Sequence, residues 1–258
     1  MNSSVIVTGL SKSYGTTLAL DKLSFTVKPG SIFGLIGPNG AGKTTSLAIL
    51  AGLIQPTSGA AWVQGMQVRP GNRSLASKVG FSSPQFPFFD YLTGIEVLLM
   101  CGLMHGLASP QAKSRTSDLL ELLDLESAAG QYLYQYSQGM RRKLGLACAL
   151  VHAPEVLLLD EPFAGLDPTS VCRLLCCFRQ IATNGRTIIL SSHDMALIER
   201  LCHRVGILHG GVLKREIELA SVTDRVSPNS SEADSNSRLE SLLWEVVGAP
   251  EIKALAWI

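Results

Sequence analysis

A glycine-rich segment near residue 40 constrains this chain more than any other part of its sequence. The pattern G-x-x-x-x-G-K-[ST] is matched at every fixed position by Gly37, Pro38, Asn39, Gly40, Ala41, Gly42, Lys43 and Thr44. An apolar run at residues 31–36 precedes the segment, and residues 44–51 have the pattern of a helix. A strand, a glycine-rich loop and a helix in this order direct several backbone N–H groups toward one point, where phosphate oxygens bind.

The same loop predicts how a nucleoside triphosphate is held. We expect Lys43 to bridge the β and γ phosphates and the Thr44 hydroxyl to be a ligand of Mg²⁺. Thr45 follows at the start of the helix, so we assign the whole segment through Thr45 to the nucleotide site.

A second strand-like run ends in two carboxylates. Residues 156–159 are wholly apolar and are followed by Asp160 and Glu161. We expect this strand to lie beside the phosphate-loop strand in a doubly wound sheet, where ligands gather at the carboxyl ends of the strands. Asp160 is then placed to hold Mg²⁺, directly or through water, and Glu161 to polarise an attacking water.

Composition excludes several classes of protein. The 258 residues are 46% hydrophobic and 17% charged with a formal net charge of +1, which excludes a disordered chain and predicts no overall attraction to nucleic acid. Mean hydropathy is +0.24. The longest uncharged stretch, residues 44–68, nevertheless contains proline, glycine and glutamine, so we predict no membrane span. Residues 1–4 lack the pattern of a secretory signal, which favours six reduced cysteines, and no four-ligand zinc site is indicated.

Periodicity predicts the remaining elements. Half-buried strands are expected at residues 4–8 and 23–27, two further strands at 61–64 and 78–82, and buried parallel strands at 156–159 and 187–190. Residues 93–153 are mainly helical, with Ser109 as N-cap before Pro110 and a second helix from about Ser137. Asp167 and Pro168 begin another helix, and residues 204–208 and 212–217 form a hairpin.

Five more sites, in order along the chain, resemble motifs of the ATP-binding cassette (ABC) family. Tyr14 matches the aromatic residue that stacks on adenine, and Gln85 matches the glutamine that senses Mg²⁺ and the γ-phosphate. Residues 136–140, Tyr-Ser-Gln-Gly-Met, resemble the family signature Leu-Ser-Gly-Gly-Gln and retain Ser137 and Gly139. Asp167 matches the D-loop aspartate and His193 the switch histidine. The signature variant is similar to that of drug- and polymer-exporting members.

The resemblance implies an α/β fold: a P-loop NTPase (RecA-like) core with an antiparallel β-subdomain and an α-helical subdomain. It implies an ATP-binding domain at residues 1–225, whose helical subdomain is at about 90–153. We expect a flexible linker at 226–237 and a short helical extension at 238–258.

The resemblance also implies a mechanism. Glu161 is the expected general base, His193 and Lys43 stabilise the transition state, and Thr44, Asp160 and Gln85 serve Mg²⁺. ATP is expected between the phosphate loop of one cassette and Ser137 and Gly139 of a second, identical or not. A separate membrane permease would hold the pair at the cytoplasmic face of the membrane and use ATP hydrolysis for transport, with export favoured.

Two other functions are known for cassettes of this kind, and the sequence bears on both. A soluble ABC ATPase acting on nucleic acid or ribosomes usually has a long coiled-coil insertion or two cassettes in one chain, and neither is present. A non-catalytic regulatory cassette tends to lose the lysine, the glutamate or the histidine, and Lys43, Glu161 and His193 all remain.

An apolar segment follows Gln85. Residues 86–89 are Phe-Pro-Phe-Phe, and the next helix carries Ile95, Val97, Leu98, Leu99, Met100 and Leu103 around most of its surface. We expect part of this surface to form the groove that accepts the coupling helix of the permease.

Overall fold

The structure is a computed structural model that describes residues 3–84, 90–219 and 236–247. Its strands are β1 (Val5–Tyr14), β2 (Thr17–Val27), β3 (Ile32–Ile36), β4 (Ser58–Val63), β5 (Met66–Gln67), β6 (Val79–Ser82), β7 (Val156–Asp160), β8 (Thr187–Ser191), β9 (Arg204–His209) and β10 (Val212–Glu218). Its helices are α1 (Lys43–Leu50), α2 (Arg73–Ala76), α3 (Gly94–Met104), α4 (Ser109–Leu122), α5 (Gln138–Leu150), α6 (Pro168–Thr183), α7 (Met195–Leu201) and α8 (Asn236–Val247).

The larger sheet has six strands in the order β10-β9-β3-β8-β7-β6. All neighbours from β9 to β6 are parallel, and β10 is antiparallel to β9. Every residue of β3, β7 and β8 is buried, which explains their unbroken apolar sequences because helices cover such strands on both faces. These strands confirm the predicted parallel sheet.

The expected pairing of β7 with β3 is wrong. β8 lies between them and pairs with β3 on one side and with β7 on the other, Asp160 facing Ser191. Local sequence patterns carry no information on this order, because the long crossover connections decide which strands become neighbours.

A smaller antiparallel sheet has the order β2-β1-β4-β5. Its first two strands are longer than predicted, since irregular register between Val7 and Ser13 interrupts the alternation on which the prediction depended. β4 ends at Val63, and Gln64 adopts φ 49° in the turn that follows. The two sheets share a core in which Phe25 of β2 stacks on Phe33 of β3, their ring centroids 5.2 Å apart.

Residues between β6 and β7 form the predicted helical segment, built on α3, α4 and α5. Ser137 is the N-cap of α5 as predicted, and its hydroxyl accepts a hydrogen bond from the Met140 N–H at 3.2 Å. The N-cap of α4 is Ala108 and not the predicted Ser109, which is already helical. Pro110 has no backbone N–H, and N–H groups in the first turn of a helix have no intrahelical partner, so proline fits the second position as well as the first.

The last described element is α8, which begins at Asn236, two residues before the predicted extension. Leu239 and Leu243 are buried in the same cluster as residues of α7 and β9. The predicted linker lies outside the described residues apart from positions 236 and 237, which are helical, and residues 248–258 also lie outside them.

Candidate nucleotide site

The glycine-rich loop joins β3 to α1 and has a backbone that only glycine permits at two positions. Gly37 has φ 150°, and a Cβ atom there would lie 2.1 Å from the carbonyl oxygen of Leu208. Gly42 has φ 104°, and a Cβ atom there would lie 2.5 Å from Leu20 Cδ2. Contacts with β2 and β9 therefore fix the shape of the loop, and a phosphate group would meet a preformed cradle.

Lys43 begins α1 and turns its side chain back over this loop. Its Nζ donates hydrogen bonds to the carbonyl oxygens of Gly37 (2.7 Å) and Pro38 (3.1 Å). Burial lowers the pKa of Lys43, while the nearby carboxylates of Glu161 and Asp160 act in the opposite direction. The ammonium group thus lies between the loop and the two acids.

Asp160, at the end of β7, is buried and has hydrogen bonds to both carboxylate oxygens. The Thr44 hydroxyl donates to Oδ2 (2.7 Å) and the Ser191 hydroxyl donates to Oδ1 (2.6 Å). Hydroxyl and carboxylate oxygens are ligands that Mg²⁺ prefers, and Mg²⁺ usually takes only one or two of them from a protein. The Thr44–Asp160 pair fits that ion, although the described residues contain no group of three or more His, Cys, Asp or Glu side chains that could hold a metal.

Glu161 follows in a conformation that residues other than glycine seldom adopt, with φ 49°. The Ser191 hydroxyl accepts a hydrogen bond from its backbone N–H at 3.0 Å. Its Oε2 lies 2.8 Å from Nδ1 of His193, whose side chain is 73% exposed. The turn at the end of β7 therefore brings Glu161 and His193 together at the carboxyl edge of the sheet.

Tyr14 lies at the end of β1 and is 47% exposed, so one face of its ring is available to a ligand. The Nζ of Lys12 lies 5.0 Å from the ring centroid, within the range of a cation–π contact. Gln85 lies outside the described residues.

The signature region, residues 136–140, packs against the D-loop of its own chain, residues 164–167. A Cβ atom on Gly139 would lie 3.3 Å from the carbonyl oxygen of Gly165. Arg142 Nη1 donates to the carbonyl oxygen of Ala164, and Lys143 Nζ lies 3.5 Å from Oδ2 of Asp167. No hydrogen bond among residues 3–84, 90–219 and 236–247 joins Ser137 to the phosphate loop.

Asp167 also caps α6. Its carboxylate accepts hydrogen bonds from the Ser170 hydroxyl (2.6 Å) and the Ser170 N–H (2.9 Å). These bonds, with a smaller contribution from Lys143, hold the pKa of Asp167 well below its usual range. Asp167 is therefore an anion at the D-loop throughout the neutral range.

Sequence reasoning missed three residues of this site. Ser191 bridges Asp160 and Glu161, and the signal available was a polar residue that directly ends a buried strand. Arg142 and Lys143 connect α5 to the D-loop, and the signal available was the run of basic residues that directly follows the signature.

Comparison with known proteins decides the family. The family model described as "ABC transporter" matches residues 20–164, more than half of the chain. The chain belongs to the ABC transporter family. It is 35% identical over 218 residues to the linearmycin resistance ATP-binding protein LnrL of Bacillus subtilis, covering 84% of this chain and 69% of that protein.

Two other relatives of this ABC protein are also named as ATP-binding proteins of export or transport systems. It is 42% identical over 201 residues to the Nod factor export ATP-binding protein I of Paraburkholderia xenovorans, covering 78% of this chain and 66% of the relative. It is 36% identical over 217 residues to the bacitracin transport ATP-binding protein BcrA of Enterococcus faecalis, covering 84% of this chain and 70% of the relative. The chain thus spans about two thirds of the length of these relatives.

Solved structures share the fold of this ABC cassette. An ATP-binding subunit of an ABC transporter superposes with a TM-score of 0.81 at 29% identity, covering 93% of this chain and 99% of that one. The cassette MJ0796, solved as a dimer bound to ADP and phosphate, superposes with a TM-score of 0.77 at 24% identity, covering 84% of this chain and 99% of that one. The expected α/β cassette fold is confirmed, and the protein is an ATP-binding, ATP-hydrolysing member of the family.

Among its described helices, the cassette has none that combines the length and the apolar character needed to cross a bilayer.

Proposed function

We propose that this cassette is the energising subunit of an exporter, working with a separate permease and a second cassette. One continuous set of hydrogen bonds supports the catalytic part of this proposal, which is ATP hydrolysis by the cassette. It links Thr44, Asp160, Ser191, Glu161 and His193 at the carboxyl edge of the sheet. The relatives that are named for Nod factor export, bacitracin transport and linearmycin resistance support the direction of transport.

The side chains then have distinct tasks. Lys43 exchanges its loop carbonyls for β- and γ-phosphate oxygens, and Tyr14 offers a ring face to adenine. Thr44 and Asp160, with Gln85, would hold Mg²⁺, which neutralises phosphate charge when bound. Glu161 accepts a proton from the attacking water, and His193, within hydrogen-bond distance of its carboxylate, stabilises charge in the transition state.

A second cassette would complete the site. Ser137 and Gly139 lie at the N-terminus of a 13-residue helix, where a hydroxyl and backbone N–H groups suit a γ-phosphate. Arg142 and Lys143 join that helix to the D-loop, so the two surfaces would approach the partner as one body.

The permease would contact one side of α3. Val97 and Leu98 are buried in the core of the cassette itself. The surface of α3 that could accept the permease is therefore limited to its exposed apolar residues. Ile95 is 40% exposed and Leu103 50%, and at 100° per residue the two project from the same side of the helix. Met104, which is 79% exposed, follows at the end of the helix. Residues 86–89 precede this helix but lie outside the described residues. Docking here would keep the cassette at the cytoplasmic face of the membrane without entering it.

Purification from membranes tests this proposal. We expect a tagged cassette to co-purify with an integral membrane protein in fixed stoichiometry after solubilisation in detergent. The double variant Ile95→Asp/Leu103→Asp should lose that partner and keep basal ATP hydrolysis. Leu53→Asp, at another exposed leucine (61% exposed), is the matched control and should keep the partner. Recovery with ribosomes or nucleic acid instead of a membrane protein would favour the alternative function.

A further inference from the structure

Two helices of the helical segment carry the same short pattern. Cys101 and His105 are four residues apart along α3, and Cys148 and His152 are four residues apart along α5 and the turn after it. Residues at this spacing lie on one face of a helix, one turn apart. The two cysteines are 47 positions apart in the chain, so only the packing of α3 against α5 brings the patterns together.

The matching residues of the two patterns are in contact. The rings of His105 and His152 are stacked with their centroids 3.7 Å apart and their planes within 5°. One turn earlier on the two helices lie Cys101 and Cys148, close enough for each thiol to shift the pKa of the other. At the opposite end of the helix pair, a Cβ atom on Gly94, the first residue of α3, would lie 2.1 Å from the hydroxyl of Tyr136, just before α5. The helices therefore run side by side in the same direction, and this register places one sulfur beside the other.

The two thiols have different surroundings. Cys101 is partly exposed, whereas Cys148 is buried in the larger core cluster. The interaction with Cys148 lowers the pKa of Cys101, and the interaction with Cys101 together with burial raises the pKa of Cys148. Cys101, the sulfur that a small solute can reach, is thus the better nucleophile, and a second thiol lies beside it on the facing helix.

We propose that Cys101 and Cys148 are a redox pair that a hydroperoxide converts into a disulfide joining α3 to α5. The described residues offer no group of three or more metal-ligating side chains here, so thiol oxidation is the chemistry that the cluster supports. Both histidines lie one turn away, where they maintain the register of the helices.

The reaction balances with hydrogen peroxide as the oxidant. The Cys101 thiolate attacks one peroxide oxygen, the O–O bond breaks, and the departing hydroxide takes up a proton and leaves as water. The sulfur of Cys148 then attacks the Cys101 sulfenic acid, forming the S–S bond and breaking the S–O bond. The thiol proton of Cys148 leaves with that oxygen as a second water. The two sulfurs lose two electrons together, and one peroxide gains them.

The bond would connect two functional surfaces. α3 carries the exposed apolar residues proposed to meet the permease, and α5 begins at Ser137 of the signature. A disulfide would restrain relative motion of these helices without touching Lys43, Asp160 or Glu161. A reducing thiol would reverse it.

Peptide mapping tests the inference on the folded full-length chain. The protein is treated with hydrogen peroxide, remaining thiols are alkylated after denaturation, and peptides are compared by mass spectrometry with and without dithiothreitol. We expect a cross-linked pair containing Cys101 and Cys148, lighter by two hydrogen atoms than the two free peptides, that disappears on reduction.

Variants separate this pair from the other cysteines. Cys101→Ser and Cys148→Ser should each abolish the cross-link, whereas Cys172→Ser/Cys176→Ser, at two exposed thiols on α6, should leave it unchanged. The inference is overturned if Cys101 and Cys148 remain open to alkylation at peroxide doses that oxidise Cys172 and Cys176. It is also overturned if Cys101 pairs with a different cysteine. If either serine variant fails to fold, the peptide map of the wild-type chain is sufficient to test the inference. None of these measurements depends on ATP hydrolysis or on a permease, so their outcome is independent of the proposed function.

Discussion

At the scale of single residues, Glu161 combines an unfavourable backbone with a defined partner. A non-glycine residue with positive φ costs on the order of 1–3 kcal/mol and persists only where its surroundings enforce it. Ser191 supplies that enforcement by accepting a hydrogen bond from the Glu161 N–H while donating to Asp160. The strain is thus located at the proposed general base.

Glu161→Gln should bind ATP but lower the rate of hydrolysis by about 10²- to 10⁴-fold, since an amide cannot accept the proton of the attacking water. The variant should also accumulate as an ATP-bound dimer. Phosphate release, nucleotide binding and size-exclusion chromatography provide the measurements. Glu155→Gln, an exposed carboxylate just before β7 that pairs with Lys78, is the control and should behave as wild type. Normal turnover by Glu161→Gln would remove Glu161 from the proposed role.

Lys43→Ala should lose ATP binding or hydrolysis, because it removes the only ammonium group that lies over the phosphate loop among the described residues. Isothermal titration with ATP and an assay of phosphate release measure the two losses. Lys78→Ala removes a surface ion pair with Glu155 and should change neither. Unchanged activity in Lys43→Ala would contradict the assignment of this loop.

At the scale of elements, the start of α5 has two tasks that can be separated. The Ser137 hydroxyl caps the helix through the Met140 N–H, and we propose that it also meets the γ-phosphate held by a second cassette. The Thr93 hydroxyl caps α3 in a similar way, by accepting a hydrogen bond from the Glu96 N–H at 3.3 Å. Because α3 does not carry the signature, Thr93 is a control for the capping role alone.

Ser137→Ala and Thr93→Ala should each lower the free energy of unfolding by about 1 kcal/mol, the usual effect of losing an N-cap. Only Ser137→Ala should also lower ATP hydrolysis. Urea denaturation and phosphate release, measured on both variants, distinguish the two effects. An equal change in activity for the two would show that Ser137 acts through helix stability alone.

The docking of α8 is a second question at this scale. Leu239 is 1% exposed, and its backbone N–H donates to Oε1 of Glu199 on α7 at 3.1 Å. Leu239→Ala should lower the free energy of unfolding by about 2–3 kcal/mol, because truncation of a buried leucine loses contacts and leaves a cavity. Glu240→Ala, at the exposed next position, should stay within about 0.5 kcal/mol of wild type in the same urea titration. Equal stability of the two variants would mean that α8 is not part of the core.

At the scale of the whole molecule, stability depends on pH through a buried imidazole. His152 Nε2 donates to the Val79 carbonyl at 3.1 Å, so this side chain connects the end of α5 to β6. Burial, with smaller contributions from the stacked His105 and from Arg115, lowers the pKa of His152 to about 4. The unfolded chain therefore binds a proton near pH 6.5 that the folded chain accepts only near pH 4.

The free energy of unfolding should fall as the pH is lowered from about 6.5 to about 4. Below pH 4, His152 is protonated in both the folded and the unfolded chain and should cause no further decrease. Urea titrations at pH 7 and pH 5 measure the change. His152→Gln keeps a hydrogen-bond donor and removes the titration, so its loss between the two pH values should be smaller than that of wild type. An equal loss would assign the pH dependence to other groups.

Much of the site could be predicted because its chemistry is local in the chain. The phosphate loop, the acids that end β7 and the cap of α5 each depend on a few consecutive residues, and the structure has the corresponding loop, strand and cap. The N-cap of α4 was misplaced by one residue, and the bulged strands β1 and β2 were predicted too short. Both errors occurred where the local pattern was ambiguous or interrupted.

Local sequence is enough to predict which residues would cradle phosphate, which strands are buried on both faces and where the main helices begin. These predictions follow from the glycines, the hydrophobic period and the caps. Long-range packing sets β8 between β3 and β7, and Ser191 thereby bridges Asp160 and Glu161. The same packing joins α5 to the D-loop and brings Cys101 beside Cys148. Each of these contacts joins residues far apart in the chain, and long-range packing, which no local pattern encodes, determines them.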